Sequence, residues 1–296
     1  MSKYFSVLSV LGFAALLSGC GADPDQGDPQ TQAIEDAENA PQASEVIESG
    51  PRLADIVNGQ HREEKNSARN SSRHPVETLE FFGIKNDMAV VEIWPAGGWY
   101  TEVIAPYLNE NGKYIAAHWD PESEIPFIQK GISAYMEKLA AHPEVYGNVD
   151  MAVLMYPEKM DFVPPESVDM VVTFRNIHNW MGRDFADDML AAMYKALKPG
   201  GILGVVEHRG NPEVPQDPKA ESGYVNQDYA IQLAESAGFE LVATSEINAN
   251  PLDVKDYETG VWTLPPTLRA GDVDREWYIA IGESDRFTLK FVKPGS

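Results

Sequence analysis

The distribution of apolar and polar residues after position 70 predicts strands and helices in alternation. Seven short apolar runs, few with the regular alternation of a half-exposed strand, predict strands over 88–93, 114–117, 151–156, 168–174, 202–207, 239–247 and 287–292. Apolar residues at helical spacing predict a helix that begins at Pro75 and helices over 100–108, 128–141, 185–197 and 229–237. Such strands between amphipathic helices indicate an α/β fold with a doubly wound, mostly parallel sheet. The last two strands have no clear helix between them, which predicts an antiparallel strand at the edge of the sheet.

Residues 1–20 have the features of a bacterial export signal. Lys3 gives a positive start, and 4–17 form an apolar stretch that is too short to span a bilayer. Leu17-Ser18-Gly19-Cys20 resembles the lipobox of bacterial lipoproteins, which implies that Cys20 becomes the lipidated N-terminus. The alternative is an ordinary secretory signal with a chance cysteine. Because Cys20 is the only cysteine, no disulfide is expected.

Residues 21–50 contain no lysine or arginine and many acidic residues, which predicts a disordered acidic tether. Residues 51–296 are long enough to form one large domain. The predicted protein is therefore lipid-anchored in the bacterial cell envelope and faces the periplasm. Gly21, rather than an aspartate, follows the cysteine, which favours the outer membrane.

The charge of the chain limits the partners that it is expected to bind. The formal net charge is −23, whereas binding to a nucleic-acid backbone needs a basic face. The same charge opposes adsorption to anionic lipid. We therefore expect a small-molecule substrate, no nucleic acid, and contact with the membrane only through the lipid anchor.

The residues that follow each predicted strand are the candidates for chemistry, because ligands of such sheets bind beyond the carboxyl ends of the strands. These positions carry polar or titratable side chains: Glu92 and the loop 94–98, then His118 and Asp120, Tyr156, then Arg175, Asn176 and His178, and finally Glu207 and His208. Three of the six histidines lie at this one edge, which predicts a functional site there.

Five segments resemble, in the same order, motifs of the class I S-adenosylmethionine-dependent methyltransferases. The segments are 90–98, 112–122, 165–172, 196–201 and 237–239. Segments 250–266 and 281–294 further resemble a bacterial group of exported predicted methyltransferases. The resemblance implies that residues 51–296 form a methyltransferase-like domain with a Rossmann-like fold, and that S-adenosylmethionine is the cofactor.

The resemblance assigns eight residues to the cofactor: Glu92, Trp94, Ala96, Gly97, Gly98, His118, Asp120 and Tyr156. Glu92 matches the acid of the family's loop pattern, whereas Trp94 and Ala96 replace its first two glycines. His118 stands where the family has the acid that binds the ribose hydroxyls, and Asp120 is its nearest substitute. A tryptophan beside the adenosine or the sulfonium would add stacking or cation–π attraction.

Three further residues are the candidates for catalysis: His178, Asn176 and Glu207. A histidine at position 178 would deprotonate or orient the substrate. The alternatives are a surface histidine that caps the next helix, and a Glu207 that is bonded to nearby N–H groups. Arg175 would bind an anionic substrate or pair with Glu207.

Three functions remain open from the sequence. The first is a methyltransferase that acts on a small molecule, and the second is a non-catalytic envelope binding module with a degenerate cofactor site. The second predicts that the Trp94 indole points into the cleft, and an open cleft counts against it. The third is a metal-dependent enzyme with ligands from among His118, Asp120, His178, Glu207 and His208. No tight ligand spacing supports it, so no metal site is predicted. Residues 257–266 are interpreted as a lid or rigid cover, and 283–286 as a charged turn without a functional role.

Overall fold

The computed structural model describes residues 50–295 of the chain. The predicted signal peptide, Cys20 and all of the predicted tether except Gly50 lie outside the described residues. Within residues 50–295, the structure has no helix that is long and apolar enough to cross a membrane.

A seven-stranded sheet forms the centre of the domain. Its strands are β1 (Ala89–Ile93), β2 (Lys113–His118), β3 (Asp150–Val153), β4 (Val168–Phe174), β5 (Leu197–His208), β6 (Glu240–Ser245) and β7 (Arg286–Val292). They lie in the order β3-β2-β1-β4-β5-β7-β6, and the strands from β3 to β5 pair in parallel. β7 lies between β5 and β6 and is antiparallel to both. The predicted α/β fold with a mostly parallel sheet and antiparallel pairing towards one edge is confirmed.

Helices cover both faces of this sheet. They are α1 (Leu53–Val57), α2 (Glu64–Ser67), α3 (Asn70–Arg73), α4 (Pro75–Phe82), α5 (Thr101–Leu108), α6 (Pro126–Ala141), α7 (Pro143–Tyr146), α8 (Ile177–Met181), α9 (Ala186–Ala196), α10 (Gln227–Ser236) and α11 (Arg275–Ile281). A 3₁₀ helix spans Gly260–Thr263. The helices that the apolar periodicity predicts correspond to α4, α5, α6, α9 and α10.

Two apolar clusters, one on each face, hold the helices on the sheet. Val90 belongs to the cluster under α4 and α5, and Val91 to the cluster under α9, because successive strand residues point to opposite faces. Phe82 of α4 packs closely on β5, where a Cβ on Gly204 would lie 2.6 Å from its ring. Met189 of α9 is fully buried on the other face. Each such side chain contributes about 1.5 to 3 kcal/mol to stability.

The order of the strands determines where a ligand can bind. From β1 the chain continues outward to β2 and β3, and then returns to the other side of β1 as β4. The loops after β1 and β4 therefore leave in opposite directions, and they open a crevice at the carboxyl ends of these two strands.

Six helices of the structure do not follow from the sequence pattern: α1, α2, α3, α7, α8 and α11. Each has seven residues or fewer, which is too short for a helical period to appear. Three of them nevertheless shape the crevice, because α2, α3 and α8 contribute Asn66, Arg73 and His178 to its wall.

Candidate functional site

A cleft of about 690 Å³ opens at the carboxyl ends of β1 and β4. Its wall combines aromatic side chains with cationic ones, among them Trp99, Tyr100, Phe174, Arg69, Arg175 and His178. The volume is within the range of small-molecule sites, and their walls also combine apolar surface with a few polar groups. The cleft is therefore the candidate functional site.

The loop after β1 keeps the backbone of a glycine-rich turn although two of its positions are not glycine. Trp94, Ala96 and Gly98 have φ angles of 46°, 52° and 76°, in the left-handed region that favours glycine. Among residues 50–295, the N–H groups of Ala96 and Gly97 have no hydrogen-bond acceptor. A Cβ on Gly97 would meet nothing within 4 Å, so these two donors are available to a ligand.

The indole of Trp94 packs into an aromatic cluster that consists of Trp94, Trp119, Trp180 and Phe185. Its ring centroid lies 6.0 Å from that of Trp119 and 6.1 Å from those of Trp180 and Phe185. Its Nε1 donates to the Leu154 carbonyl oxygen at 3.0 Å. Trp94 is only 9% exposed; it belongs to the cleft wall, and a volume of about 690 Å³ stays open in front of that wall. The open cleft counts against the binding module in which the Trp94 indole points into the cleft.

Glu92 lies at the end of β1 and contributes to the cleft wall. The side chain is almost fully buried, and the Tyr114 hydroxyl donates to its Oε2 at 2.5 Å. Burial raises the pKa of Glu92 to about 7, because a carboxylate loses hydration inside the protein. A cation in the cleft would therefore favour the ionised form of this carboxyl.

His118, at the end of β2, has both ring nitrogens occupied within the protein. Nδ1 accepts the Trp119 backbone N–H at 2.7 Å, and Nε2 lies 3.1 Å from the Ala96 carbonyl oxygen. Burial lowers the pKa of His118 to about 4, so the ring is neutral and its Nε2–H donates to Ala96. His118 does not line the cleft; it supports the loop after β1 from behind.

Three other residues that the sequence assigns to the cofactor also lie outside the cleft wall. Asp120 forms an ion pair with Lys159 at 2.5 Å, and Tyr156 stacks on Phe185 at 4.8 Å. At Gly98, the side on which a Cβ would lie faces the ring of Tyr135. The structure brings the remaining assigned residues to the cleft: Glu92, Trp94, Ala96 and Gly97.

His178 and Glu207 form a hydrogen-bonded pair at the ends of β4 and β5. His178 lines the cleft and is only 7% exposed, which excludes the surface histidine that the sequence left open. Its Nδ1 lies 3.1 Å from Oε1 of the buried Glu207, which also accepts the backbone N–H of His208. A carboxylate that holds Nδ1–H leaves Nε2 as a proton acceptor, as a general base requires. Arg175 does not pair with Glu207.

Asn176 links the two strand ends beside this pair. Its Nδ2 donates to the Ile93 carbonyl oxygen at 2.9 Å and to Thr173 Oγ1 at 3.2 Å. The side chain lines the cleft, but its amide donor is used to join β1 to β4. Asn176 therefore fixes the spacing between the loop after β1 and His178.

His208 extends the pair to the loop before β7. Its Nδ1 lies 2.5 Å from Ser284 Oγ, and burial together with His178 lowers its pKa well below the usual range. Ligand atoms of His178, Glu207 and His208 all lie within 4.8 Å of one another, so this group has the donor types of a metal site. His118 and Asp120, which the metal hypothesis also considered, are not part of it.

An arginine cluster, which consists of Arg69, Arg73, Arg175 and Arg286, surrounds Glu283 at one end of the cleft. Glu283 accepts from Arg69 Nε at 2.5 Å, Arg73 Nε at 3.2 Å and Arg286 Nη2 at 2.8 Å. Although burial opposes it, Arg73 and Arg286 hold the pKa of Glu283 at about 2. The charged turn 283–286 is therefore buried, and its residues Glu283 and Ser284 contribute to the cleft wall. The sequence offered one indication of this cluster: Arg69 and Arg73 lie four positions apart in an otherwise acidic chain.

Residues of the segment between β6 and α11 contribute to the wall of the cleft. Trp262, Pro265 and Pro266 line it, and the Trp262 ring lies 6.0 Å from His178. The guanidinium of Arg269 lies over the Trp262 indole at 4.6 Å, which holds this ring in place.

S-adenosylmethionine fits one half of this site better than the other. The acidic Glu92 and the free N–H groups of Ala96 and Gly97 suit the ammonium and carboxylate of its methionine part. At the position that the resemblance assigns to the ribose, the buried His118 has no free ring nitrogen, and Asp120 is paired with Lys159.

Comparison with known proteins supports the fold. No protein-family model and no curated protein sequence match the chain. A methyltransferase dependent on S-adenosylmethionine from Aquifex aeolicus is similar in structure, with a TM-score of 0.52 and 15% identity over 81% of this chain and 98% of that one. The cyclase SpnF has a TM-score of 0.55 and 16% identity over 90% of this chain and 93% of its own. The chain therefore has the Rossmann-like fold of the S-adenosylmethionine-dependent methyltransferases.

Proposed function

We propose that this protein is an S-adenosylmethionine-dependent methyltransferase that acts on a small molecule. The observation that carries the proposal is the open cleft at the ends of β1 and β4, with the His178–Glu207 pair in its wall. The methyltransferase fold supports it, because ligands of such sheets bind at this crevice. The neighbours of low identity support the fold alone, so the activity rests on the cleft.

The residues of the first loop would hold the cofactor. Glu92 would face its ammonium group, and the N–H groups of Ala96 and Gly97 would face its carboxylate. When bound, the cofactor supplies an electrophilic methyl group on a sulfonium.

His178 would act on the methyl acceptor. Glu207 holds Nδ1, so Nε2 is the atom that accepts a proton from a hydroxyl or amine of the substrate. Asn176 would keep the distance between cofactor and base through its bonds across β1 and β4. Positioning of the two reactants is the larger part of such catalysis.

A second candidate is a binding module or an enzyme of different chemistry with this fold. One observation favours it: His118 stands where the family has the ribose-binding acid, and it has no free ring nitrogen.

Isothermal titration of residues 51–296 with S-adenosylmethionine and S-adenosylhomocysteine separates the two candidates. The first predicts saturable heat, weakened in Glu92→Gln and unchanged in the control His178→Gln, which leaves the cofactor loop intact. Absence of heat at high protein concentration contradicts it. Heat that appears only in Trp94→Gly supports the second candidate.

We further propose that the domain is tethered in the cell envelope through Cys20. The apolar stretch that ends in the lipobox-like Leu17–Cys20 supports this location. Metabolic labelling of the full chain with an alkyne fatty acid tests it, with Cys20→Ser as the control. The proposal expects label in the wild type alone; an unlabelled wild type or a labelled Cys20→Ser contradicts it.

A further inference from the structure

The arginine cluster contains more positive charge than its protein partners balance. Glu283 is the carboxylate that pairs with Arg69, Arg73 and Arg286, and Arg175 adds a fourth guanidinium nearby. Arg69, Arg73 and Arg175 line the cleft together with the carboxyl groups of Glu283 and Glu92, so positive charge is in excess at this part of the wall. Buried charges that lack a partner are costly, so such an excess calls for an anion.

Several donors of the cluster have no acceptor. Within residues 50–295, Arg69 Nη2 is buried without a partner, and a buried polar atom in a folded protein is normally paired. The partly exposed side chain of Arg175 lines the cleft and makes no hydrogen bond or ion pair with these residues. Desolvation and repulsion from Arg286 lower the pKa of Arg175 to about 10, which leaves it charged at neutral pH. Both groups are therefore available to a ligand in the cleft.

The backbone holds Arg175 in this position at a cost. Its φ is 61°, a conformation that non-glycine residues adopt rarely and that concentrates at functional sites. Arg73 is fixed from the other side, because its guanidinium lies 4.7 Å from the centre of the Trp99 indole. The cluster is therefore preorganised before any ligand arrives.

The positive charge of the arginine cluster favours an anion over a metal ion as the ligand at this end of the cleft. The His178, Glu207 and His208 group has suitable ligand types, but the arginines adjoin it: Arg175, Arg286 and Arg73 all lower the pKa of His208, after burial and His178. Repulsion from this excess opposes a divalent cation and attracts an anion. Although the chain has a net charge of −23, the arginine cluster would attract anions to this end of the cleft.

We propose that the arginine cluster binds a compact oxyanion, a carboxylate or a phosphate, of the substrate. Arg69, Arg73 and Arg175 would donate to it, as guanidinium groups do to both kinds of oxyanion. Ser284, next to Glu283, contacts His208, which connects the anion subsite to the His178–Glu207 pair. The substrate would thus be anchored by its anion with a second group at His178. Naming the ligand a substrate rests on the proposed function; the anion site itself does not.

Titration with inorganic phosphate and with acetate tests the site without any cofactor. Residues 51–296 are titrated at constant ionic strength, with chloride as the balancing anion, and binding is followed by calorimetry and by the midpoint of thermal unfolding. We expect saturable binding of at least one of the two anions, which also identifies the preferred oxyanion. Arg175→Gln is expected to weaken it by roughly tenfold or more, and the exposed Arg275→Gln to leave it unchanged.

The unfolding midpoint in the absence of anion distinguishes a binding role from a structural one. Removal of an unpaired, repelled charge is expected to raise the midpoint in Arg175→Gln, whereas loss of a structural contact would lower it. Arg69→Gln gives a second, independent loss of anion binding. The proposal is overturned if neither anion gives saturable binding or a higher unfolding midpoint than chloride does. It is also overturned if Arg175→Gln and Arg69→Gln bind the anion as tightly as the wild type. Failure of S-adenosylmethionine to bind would contradict the proposed function and leave this result intact.

Discussion

The aromatic cluster and the arginine cluster lie at the same edge of the sheet but differ in how their polar groups are paired. Around the aromatic cluster, the Trp94 Nε1 and both nitrogens of His118 have partners inside the protein, and only Trp180 Nε1 is buried without one. The groups there are neutral. The arginine cluster keeps charged donors unpaired at the cleft wall.

This difference separates residues that serve stability from residues that serve binding. A buried neutral group that is already paired gains nothing from a ligand, whereas an unpaired cation gains a hydrogen bond and a counterion. The two clusters should therefore respond to substitution and to added anions in opposite ways.

Loss of Glu283 should give the largest effect, because three guanidiniums share this partner. Glu283→Gln is expected to lower the free energy of unfolding by about 4 to 5 kcal/mol, the upper part of the range for breaking a buried ion pair. Added phosphate should restore part of the lost free energy of unfolding. Urea unfolding with and without phosphate measures both, and Glu246→Gln, in an exposed pair with Arg209, is the control. Equal losses in the two variants would contradict the prediction.

Truncation of the Trp94 indole tests the aromatic cluster. Trp94→Ala is expected to cost about 3 to 4 kcal/mol of stability, because it leaves a cavity beside Trp119, Trp180 and Phe185. Unlike the preceding variant, it should not recover in phosphate. Urea unfolding measures the change, and Trp277→Ala serves as the control because Trp277 is 54% exposed. A loss below ~1 kcal/mol would show that the indole does not support the fold.

The buried Glu92 should make stability depend on pH. Its pKa is raised from 4.5 to about 7 in the folded chain, so the unfolded chain loses this proton first and the wild type loses stability between pH 4.5 and 7. Glu92→Gln removes that cost and should be more stable than the wild type by ~3 kcal/mol above pH 7. Unfolding curves of both proteins at pH 4, 6 and 8 check this, and a difference that does not change with pH contradicts it.

The smallest effect is expected at Asp120. Its ion pair with Lys159 lies at the surface, where such pairs contribute less than about 1 kcal/mol, and neither residue lines the cleft. Asp120→Asn should leave both stability and S-adenosylmethionine affinity nearly unchanged. A clear loss of cofactor affinity would mean that the loop after β2 moves over the cleft when ligand binds.

The sequence predicts the sheet well because its long buried strands carry their own signal. Strands such as β4, which is almost continuously apolar, can be identified from the sequence alone. The sequence also places His178 and Glu207 at the same edge of the sheet, because both follow parallel strands, but it does not predict that they form a hydrogen-bonded pair. The strand order could be inferred through the family resemblance but not from periodicity.

The arginine cluster could not be predicted in the same way. Arg69 and Glu283 are far apart in the sequence and meet through short helices and a loop, for which no local pattern exists. Likewise, the direction of the Trp94 side chain depends on the aromatic rings around it and on the Leu154 carbonyl. The arginine cluster and the direction of the Trp94 side chain both depend on contacts between distant parts of the chain, which local sequence propensities do not predict.

The positive φ angles of the loop after β1 have a practical consequence for protein engineering. Trp94 and Ala96 already occupy backbone conformations that glycine adopts without strain. The double replacement Trp94→Gly and Ala96→Gly would rebuild the glycine-rich pattern of the methyltransferase family without requiring the main chain to move. The glycine-rich turn can thus be restored without a change of backbone conformation, but the replacement at position 94 also removes the indole that supports the aromatic cluster.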